Sequence, residues 1–483
     1  MTLLAPAVSV PAPASPRRLS ALVTVLVVVH LVLKALALVR VGHAPLIGDE
    51  AAYADGGRAL SNLLRDLVHL RSPDGDELAR NVVGSGWFMP GMAVLLTPLF
   101  VIDPDASVLM IRGYLALLTT ALLLLAVTEV DRRLGRRYAV ALLVFPGLAP
   151  MWAIFSAAAW GDLCAGLVLV VLVARLVEAV TRDRPVTLRE GLVVGLLAVA
   201  VVYLRSSTTV VLAGLAAVTL LTVWLRRRGR QRLACAGSLA AGGALALLLL
   251  LPWSLAASHV LGARVVTTTS VPTVLANTFG DPGQLCYGPC DPDSSRWFGP
   301  VRYAREVARA TGRSELTVLA QMSEHARRDV TPAGYATDVA ANAGRYAGEP
   351  ARFARFLHGP GGDGRGPAYT LIVAVTDLLF YPALLAGLVV IAGVWRGPVR
   401  RQVLAALVTI GLIGLFLQPF VHISGGRYWT TAAPLLALAA ALLTERRAVA
   451  AGDGRLTVVQ AALTAVAAML ATVVAVGVVL HVA

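Results

Sequence analysis

Residues 21–41 read ALVTVLVVVHLVLKALALVRV, and a short connection leads from them into Gly48-Asp49-Glu50-Ala51-Ala52-Tyr53-Ala54. An apolar run long enough to cross a bilayer, about 20 residues, thus gives way to two adjacent carboxylates where the chain emerges into water. Runs of similar length recur to the C-terminus with Gly and Pro scattered inside them. The 483-residue chain is 57% hydrophobic and only 14% charged, with a mean hydropathy of +0.74. That is too apolar for a soluble globular protein of this length. The runs are continuously apolar rather than alternating, so they predict helices and not barrel strands. The expectation is an all-α polytopic membrane protein of about 11 transmembrane helices.

The formal charge of +14 reports topology and base composition rather than nucleic-acid binding, since Lys34 is the only lysine among many arginines. Cytoplasmic loops carry the Lys/Arg excess. With residues 1–20 as a cytoplasmic tail bearing Arg17 and Arg18, the clusters Arg132-Arg133-Arg136-Arg137, Arg182-Arg184-Arg189, Arg226-Arg227-Arg228-Arg230-Arg232, Arg396-Arg400-Arg401 and Arg446-Arg447 all fall inside. The alternation holds only if Trp87 to Val101 does not span. At about 15 residues that segment is short for a span, and it reads as an embedded or interfacial part of the first outer loop. The C-terminus then faces out, in the plasma membrane. The organisation predicted is a transmembrane module over 21–253 with an outer loop at 42–105, a helical outer loop over 254–368, and C-terminal transmembrane helices over 369–483. Outside also lie a turn near Asp162 and a hairpin around His422 to Thr430. Within the large loop, Thr331-Pro332 predicts a helix start, with Tyr335, Val339, Ala343 and Tyr346 on one face. Ala351 to Leu357 reads as a short interfacial helix. Cys286 and Cys290, in a polar stretch, are candidates for a small disulfide loop.

Four outward positions carry charge that topology does not ask for: Asp49 with Glu50, Asp162, Arg205 and Arg427. Arginine on the outer side runs against the bias elsewhere and calls for a local anion, for which a lipid phosphate would serve. Here the chain resembles the GT-C superfamily of polyprenyl-phosphate-sugar glycosyltransferases, nearest in layout to bacterial aminoarabinose transferases and protein O-mannosyltransferases. Asp49-Glu50-x-x-Tyr53-Ala54 matches the family's Asp-Glu-x-x-Tyr-Ala signature. Met89-Pro90 ahead of Ile111-Arg112, Asp162 after one further span, Leu251-Pro252-Trp253, and Arg427-Tyr428 before Pro434 are similarly placed. One departure is Trp87-Phe88-Met89, where the aminoarabinose enzymes carry a Glu-Lys pair. Lys34, in the outer half of the first span, is a candidate to compensate; snorkelling to the head groups is its alternative.

The resemblance implies an enzyme that moves a sugar from a polyprenyl-phosphate donor to an acceptor hydroxyl at the outer face, with inversion. Asp49 would act as general base, with Glu50 as its partner or as a structural acceptor for backbone amides. Asp162 would orient the acceptor or share a divalent cation, Mg or Mn, with Asp49. Arg205, Arg427, Arg112 and Lys34 would hold the donor phosphate, and Tyr53, Trp87, Pro90, His422 and Tyr428 would line the pocket. The competing readings are a transporter or flippase of lipid-linked sugars and a structural partner in an envelope assembly.

Overall fold

The computed structural model describes residues 21–348, 350–351, 367–393, 398–422 and 427–445. Eighteen α-helices follow in order: α1 Ala21–Val41, α2 Asp49–Val68, α3 Gly75–Leu78, α4 Gly91–Ile102, α5 Val108–Arg133, α6 Arg136–Val144, α7 Pro150–Phe155, α8 Gly161–Thr181 and α9 Leu188–Leu204. After them come α10 Thr209–Arg226, α11 Gly229–Leu261, α12 Val271–Phe279, α13 Gly299–Thr311, α14 Glu315–Ala326, α15 Pro332–Gly348, α16 Pro367–Gly393, α17 Val399–Phe416 and α18 Trp429–Leu443. No strand occurs among the described residues. Among the described residues, seven stretches are long and apolar enough to cross a bilayer: α1, α5, α8, Ser206–Arg226 ending in α10, α11, Pro367–Ile391 in α16, and Val399–Phe420 containing α17. The chain is an all-α polytopic membrane protein. The expected spans in α9 and α18 are helices of 17 and 15 residues, and α6 and α7 are two short pieces interrupted at Pro146-Gly147.

Local sequence sets the helix starts. Ser107 caps α5 by accepting from Met110 N, and Thr187 with Glu190 forms a capping box on α9, each satisfying amides the helix cannot. At the start of α15, Pro332 supplies the pre-set φ of a first helical position. The centre of the bundle is α8 and α18, both buried along nearly their whole length. Between them Thr431 Oγ1 donates to the Asp162 carbonyl at 3.0 Å.

The basic loops gather at one end. Arg133 pairs with Glu129 and Glu178, and Arg175 with Glu129; Arg226 donates to Val180 O, and Arg227 to Asp183 O; Arg401 and Tyr138 both reach Glu445. The even alternation of basic and non-basic loops thus corresponds to one physical face, with Trp87 to Val101 containing the 12-residue α4, which packs along α2.

At the other end α12 to α15 form a helical cap with a small core of Cys286, Ala304, Val318, Leu319 and Met322. Cys286 and Cys290 are bonded within it, their Cα atoms 5.1 Å apart. The cap is tied to the first outer loop by Thr269 N to Gly86 O at 2.9 Å and to the last helices by Tyr335 OH to Phe420 O at 2.8 Å. α11 runs on to Leu261, past the expected loop boundary near Ser254. Residues 1–20, the segment 352–357, Arg396, Arg446-Arg447 and the expected last span lie outside the described residues.

Lys34 is neither at the head groups nor at the outer charge cluster. It is buried against α5, where Nζ donates to Ala116 O at 3.0 Å, Thr119 Oγ1 at 2.7 Å and Thr120 Oγ1 at 2.9 Å. All three ammonium protons are used on one helix face, so the group is a fastener of α1 and not a phosphate ligand. Both threonine hydroxyls also donate to their own helix carbonyls. Lys34 is buried with neutral acceptors only, so removing its charge relieves a desolvation cost while Ala116 O still accepts from Thr120 Oγ1. Lys34→Met is therefore expected to melt within a few degrees of wild type in detergent; a collapse of the fold would show the ammonium to be indispensable.

Candidate functional site

The site starts with the geometry of the first turn of α2. Gly48 precedes it at φ 56°, a backbone conformation suited to glycine, and Asp49 and Glu50 open the helix where its dipole favours negative charge. Successive helical positions point in different directions, and these two acids part ways.

Glu50 turns into the protein. Its Oε1 lies 3.0 Å from Arg112 Nη1, with both side chains 5% exposed or less. Arg112 spends its remaining donors on backbone: Nε on Ala44 O at 2.9 Å, Nη1 on Ala157 O at 3.1 Å, and Nη2 on Pro45 O at 3.0 Å. Glu50 Oε1 also accepts from Ala159 N at 3.0 Å. The pair thus clamps the approach to α2, the start of α5 and the loop leading into α8. Every hydrogen-bonding side of Arg112 faces protein, which removes it from the phosphate-binding set; Glu50 is a structural acceptor.

Asp49 points the other way, its Oδ2 2.8 Å from Arg427 Nη1 with both side chains 21% exposed. Arg427 Nε is 3.8 Å from Asp162 Oδ2, and Asp162 Oδ1 pairs with Arg205 Nη1. The four anomalous charges of the sequence therefore form one chain of alternating sign, Asp49, Arg427, Asp162, Arg205. Arg205 is fixed further by Ser207 Oγ at 3.0 Å and Gln418 Oε1 at 3.4 Å. Tyr428 lies under both guanidinium groups, 4.4 Å from Arg205 and 5.1 Å from Arg427, and Trp160 lies 5.2 Å from Arg427; such faces attract desolvated cations. Tyr53, one turn after Asp49 on the same face, has its phenol held well above the usual range by burial and by the Asp49 charge, so it remains a proton donor. Burial disfavours the Arg427 cation, yet Asp49 overrides this and raises it.

An aromatic wall surrounds the cluster. Tyr53 meets Phe88 at 5.3 Å, Trp87 meets Phe298 of the cap at 5.9 Å, and Trp297 of the cap stacks on His422 at 5.6 Å. His422 Nε2 is 3.3 Å from Tyr428 OH. Pro90 precedes α4, whose first residue Gly91 abuts the end of α9: a Cβ there would stand 2.4 Å from Tyr203 O, and one at Gly161 2.1 Å from Leu204 O. These two close approaches bring α4 and α8 against the α9 terminus and deliver Arg205 to Asp162.

Of the predicted site residues, the structure brings together Asp49, Asp162, Arg205, Arg427, Tyr53, His422 and Tyr428, with Trp87 joined to Tyr53 through Phe88; Pro90 is placed only at the start of α4. Cys286 and Cys290 lie in the cap core. Sequence reasoning missed Gln418, Phe88, and Trp160 and Trp297 as neighbours of the site. A polar Gln418 closing the apolar run of α17 was the available signal. For a Mg or Mn ion the described residues offer two carboxylates, Asp49 and Asp162, each facing a guanidinium group, and no three His, Cys, Asp or Glu side chains gather among them.

No protein-family model and no curated protein matches the chain. Among solved structures it is similar to the oligosaccharyltransferase of Archaeoglobus fulgidus in complex with Zn and sulfate, at 15% identity and a TM-score of 0.44, over 92% of this chain and 53% of that one. The apo form of that protein matches at 16% identity and a TM-score of 0.42, over 92% and 54%. The archaeal oligosaccharyltransferase AglB of the same organism, in complex with an inhibitory peptide and a dolichol-phosphate, matches at 14% identity and a TM-score of 0.41, over 93% and 54%. The chain spans about half the length of the structures it matches.

The two neighbouring acids predict opposite mutant behaviour. Glu50→Ala strands a buried guanidinium and is expected to cost about 3–5 kcal/mol. Asp49→Asn removes a partly exposed pair and is expected to cost about 1 kcal/mol or less. Unfolding of the detergent-solubilised variants measures both, and equal losses would contradict this division of labour.

Proposed function

We propose that the chain is an integral-membrane glycosyltransferase, moving a sugar from a polyprenyl-phosphate donor to an acceptor hydroxyl with inversion at the anomeric carbon, as the GT-C resemblance implies. The observation that carries this reading is the convergence of Asp49, Asp162, Arg205 and Arg427, drawn from four distant stretches, into one partly exposed cluster at the end of the bundle opposite the basic loops. A bundle of apolar helices has no structural need for that gathering, and buried charge in membrane proteins marks function by default.

Three tasks must be met: deprotonating the acceptor, aligning it, and stabilising the departing phosphate. Asp49 takes the acceptor proton as the hydroxyl oxygen attacks the anomeric carbon from the face opposite the phosphate. The bond from that carbon to the phosphate oxygen breaks, and its electron pair leaves with the phosphate. Arg427 and Arg205 receive the growing negative charge, since guanidinium forks match phosphate oxygens and a pre-set cation needs no reorganisation. Asp162 holds both arginines in place and orients the acceptor. Tyr53 stays a donor for a substrate oxygen, and the buried Trp87 Nε1, which donates to nothing among the described residues, supplies another. No metal enters this scheme.

The tail of the donor explains the membrane setting. Each buried methylene contributes about 0.8 kcal/mol, so the polyprenyl chain remains in lipid while its phosphate and sugar enter the cluster. The positive-inside bias puts the basic end in the cytoplasm and the cluster outside, in the plasma membrane.

The deciding experiment offers a panel of radiolabelled polyprenyl-phosphate sugars to membranes containing wild type, Asp49→Asn, Arg427→Gln or neither protein. Label is expected to move to an acceptor only with wild type, falling about 10²–10⁴-fold in Asp49→Asn. Arg427→Gln, which forfeits charge-assisted bonds to the phosphate, is expected to lose about tenfold or more in transfer. Full transfer by Asp49→Asn, with labelled lipid changing leaflets, would replace the enzyme by a transporter of lipid-linked sugars.

A further inference from the structure

At the end of the bundle opposite the Asp49–Arg427–Asp162–Arg205 cluster lies a cavity of about 560 Å³ lined by Arg132, Arg133, Arg175, Arg184, Arg189, Glu129, Glu190 and others. Five arginines face two glutamates. Adding Arg182 and Glu178, which pair with these groups, leaves the cationic excess at three. Signals that merely set topology need only be solvated loop charges. Here, however, Arg133 is 13% and Arg175 26% exposed, and arginines are gathered around one half-open cavity where they repel one another. The buried Nε of Arg175 and of Arg182 donates to nothing among the described residues. Spare guanidinium donors and uncompensated positive charge around one cavity call for an anion.

We propose that this cavity holds the phosphate of an anionic membrane lipid. The depth argues for lipid over a free anion: Arg175 stands six residues before the end of α8 at Thr181, about 9 Å along the helix axis at 1.5 Å per residue. That places the floor at head-group level when the end of α8 lies at the aqueous boundary. Val193 of α9 lines the same cavity, and Leu196, one turn further along that helix, is 48% exposed, giving the acyl chains an apolar path down α9. The lipid phosphate then ties the ends of α5, α8 and α9 together. Basic pockets between transmembrane helices bind anionic head groups in this way.

The test is native mass spectrometry of the full chain in detergent, titrated in separate arms with phosphatidylglycerol, phosphatidylcholine and inorganic phosphate. Wild type is expected to retain one phosphatidylglycerol about tenfold more tightly than phosphatidylcholine, with inorganic phosphate at equal concentration failing to displace it. Arg184→Gln/Arg189→Gln, both at exposed positions of the rim, is expected to lose that preference while melting like wild type. Arg427→Gln, at the other end, is expected to keep it, which separates this site from the donor site proposed above. Equal retention of the two lipids, an unchanged double variant, or loss only in Arg427→Gln would overturn the proposal. Displacement by inorganic phosphate at equal concentration would overturn the lipid assignment in favour of a free-anion site.

Discussion

A carboxylate buried at the end of a helical membrane bundle must be paired, and the pairing of Glu50 with Arg112 is the constraint on which the outer end is built. Its energy as an ion pair is less important than its reach. One guanidinium closes on the carbonyls of Ala44, Pro45 and Ala157 as well as on Glu50, and Glu50 in turn accepts from Ala159. Three segments distant in sequence are thereby indexed to each other. Asp49 is the next residue after Glu50, and Asp162 comes three residues after Ala159, so a single clamp sets where both outward acids stand.

Charge balance then explains why the second layer is held as it is. Asp49 and Asp162 would repel across a short gap, and Arg427 lies between them while Arg205 closes the far side. Tyr428 presents its face to both cations. The aromatic surround lowers the local dielectric and strengthens each of these contacts, and the cap reaches it directly through Trp297 and Phe298. The arrangement is neutral overall, each guanidinium group being already paired with a carboxylate.

Much of the fold was legible in the sequence because a bilayer imposes coarse rules. Continuous apolar runs read as helices, and those arginine clusters that fall among the described residues, sorted by alternation alone, meet at one physical end. The start of α15 was readable from Thr331-Pro332. Less legible was anything set by direction within a turn: the sequence left Glu50 as either a partner of Asp49 or a structural acceptor, and the structure turns it to Arg112 and Ala159 N while Asp49 faces the cluster. Arg112 and Lys34 read as free cations because a sequence does not show the carbonyls and hydroxyls that satisfy them. The convergence of residues 49, 162, 205 and 427 follows from helix packing, above all from the close approach of Gly91 and Gly161 to the end of α9. Their anomalous sidedness and the placing of Asp49, Asp162 and Arg427 relative to the resembled family were the traces of it in the sequence.

Arg427 comes late in the chain, after α17, whereas both acids of the cluster are made within the first 162 residues. During synthesis the acids are therefore laid down well before the cation that joins them, and the cluster is completed only when the segment leading into α18 has been threaded into place. A truncated or half-inserted chain carries the two carboxylates without their bridge. The balance of charge in the cluster thus depends on the late part of the chain being in place.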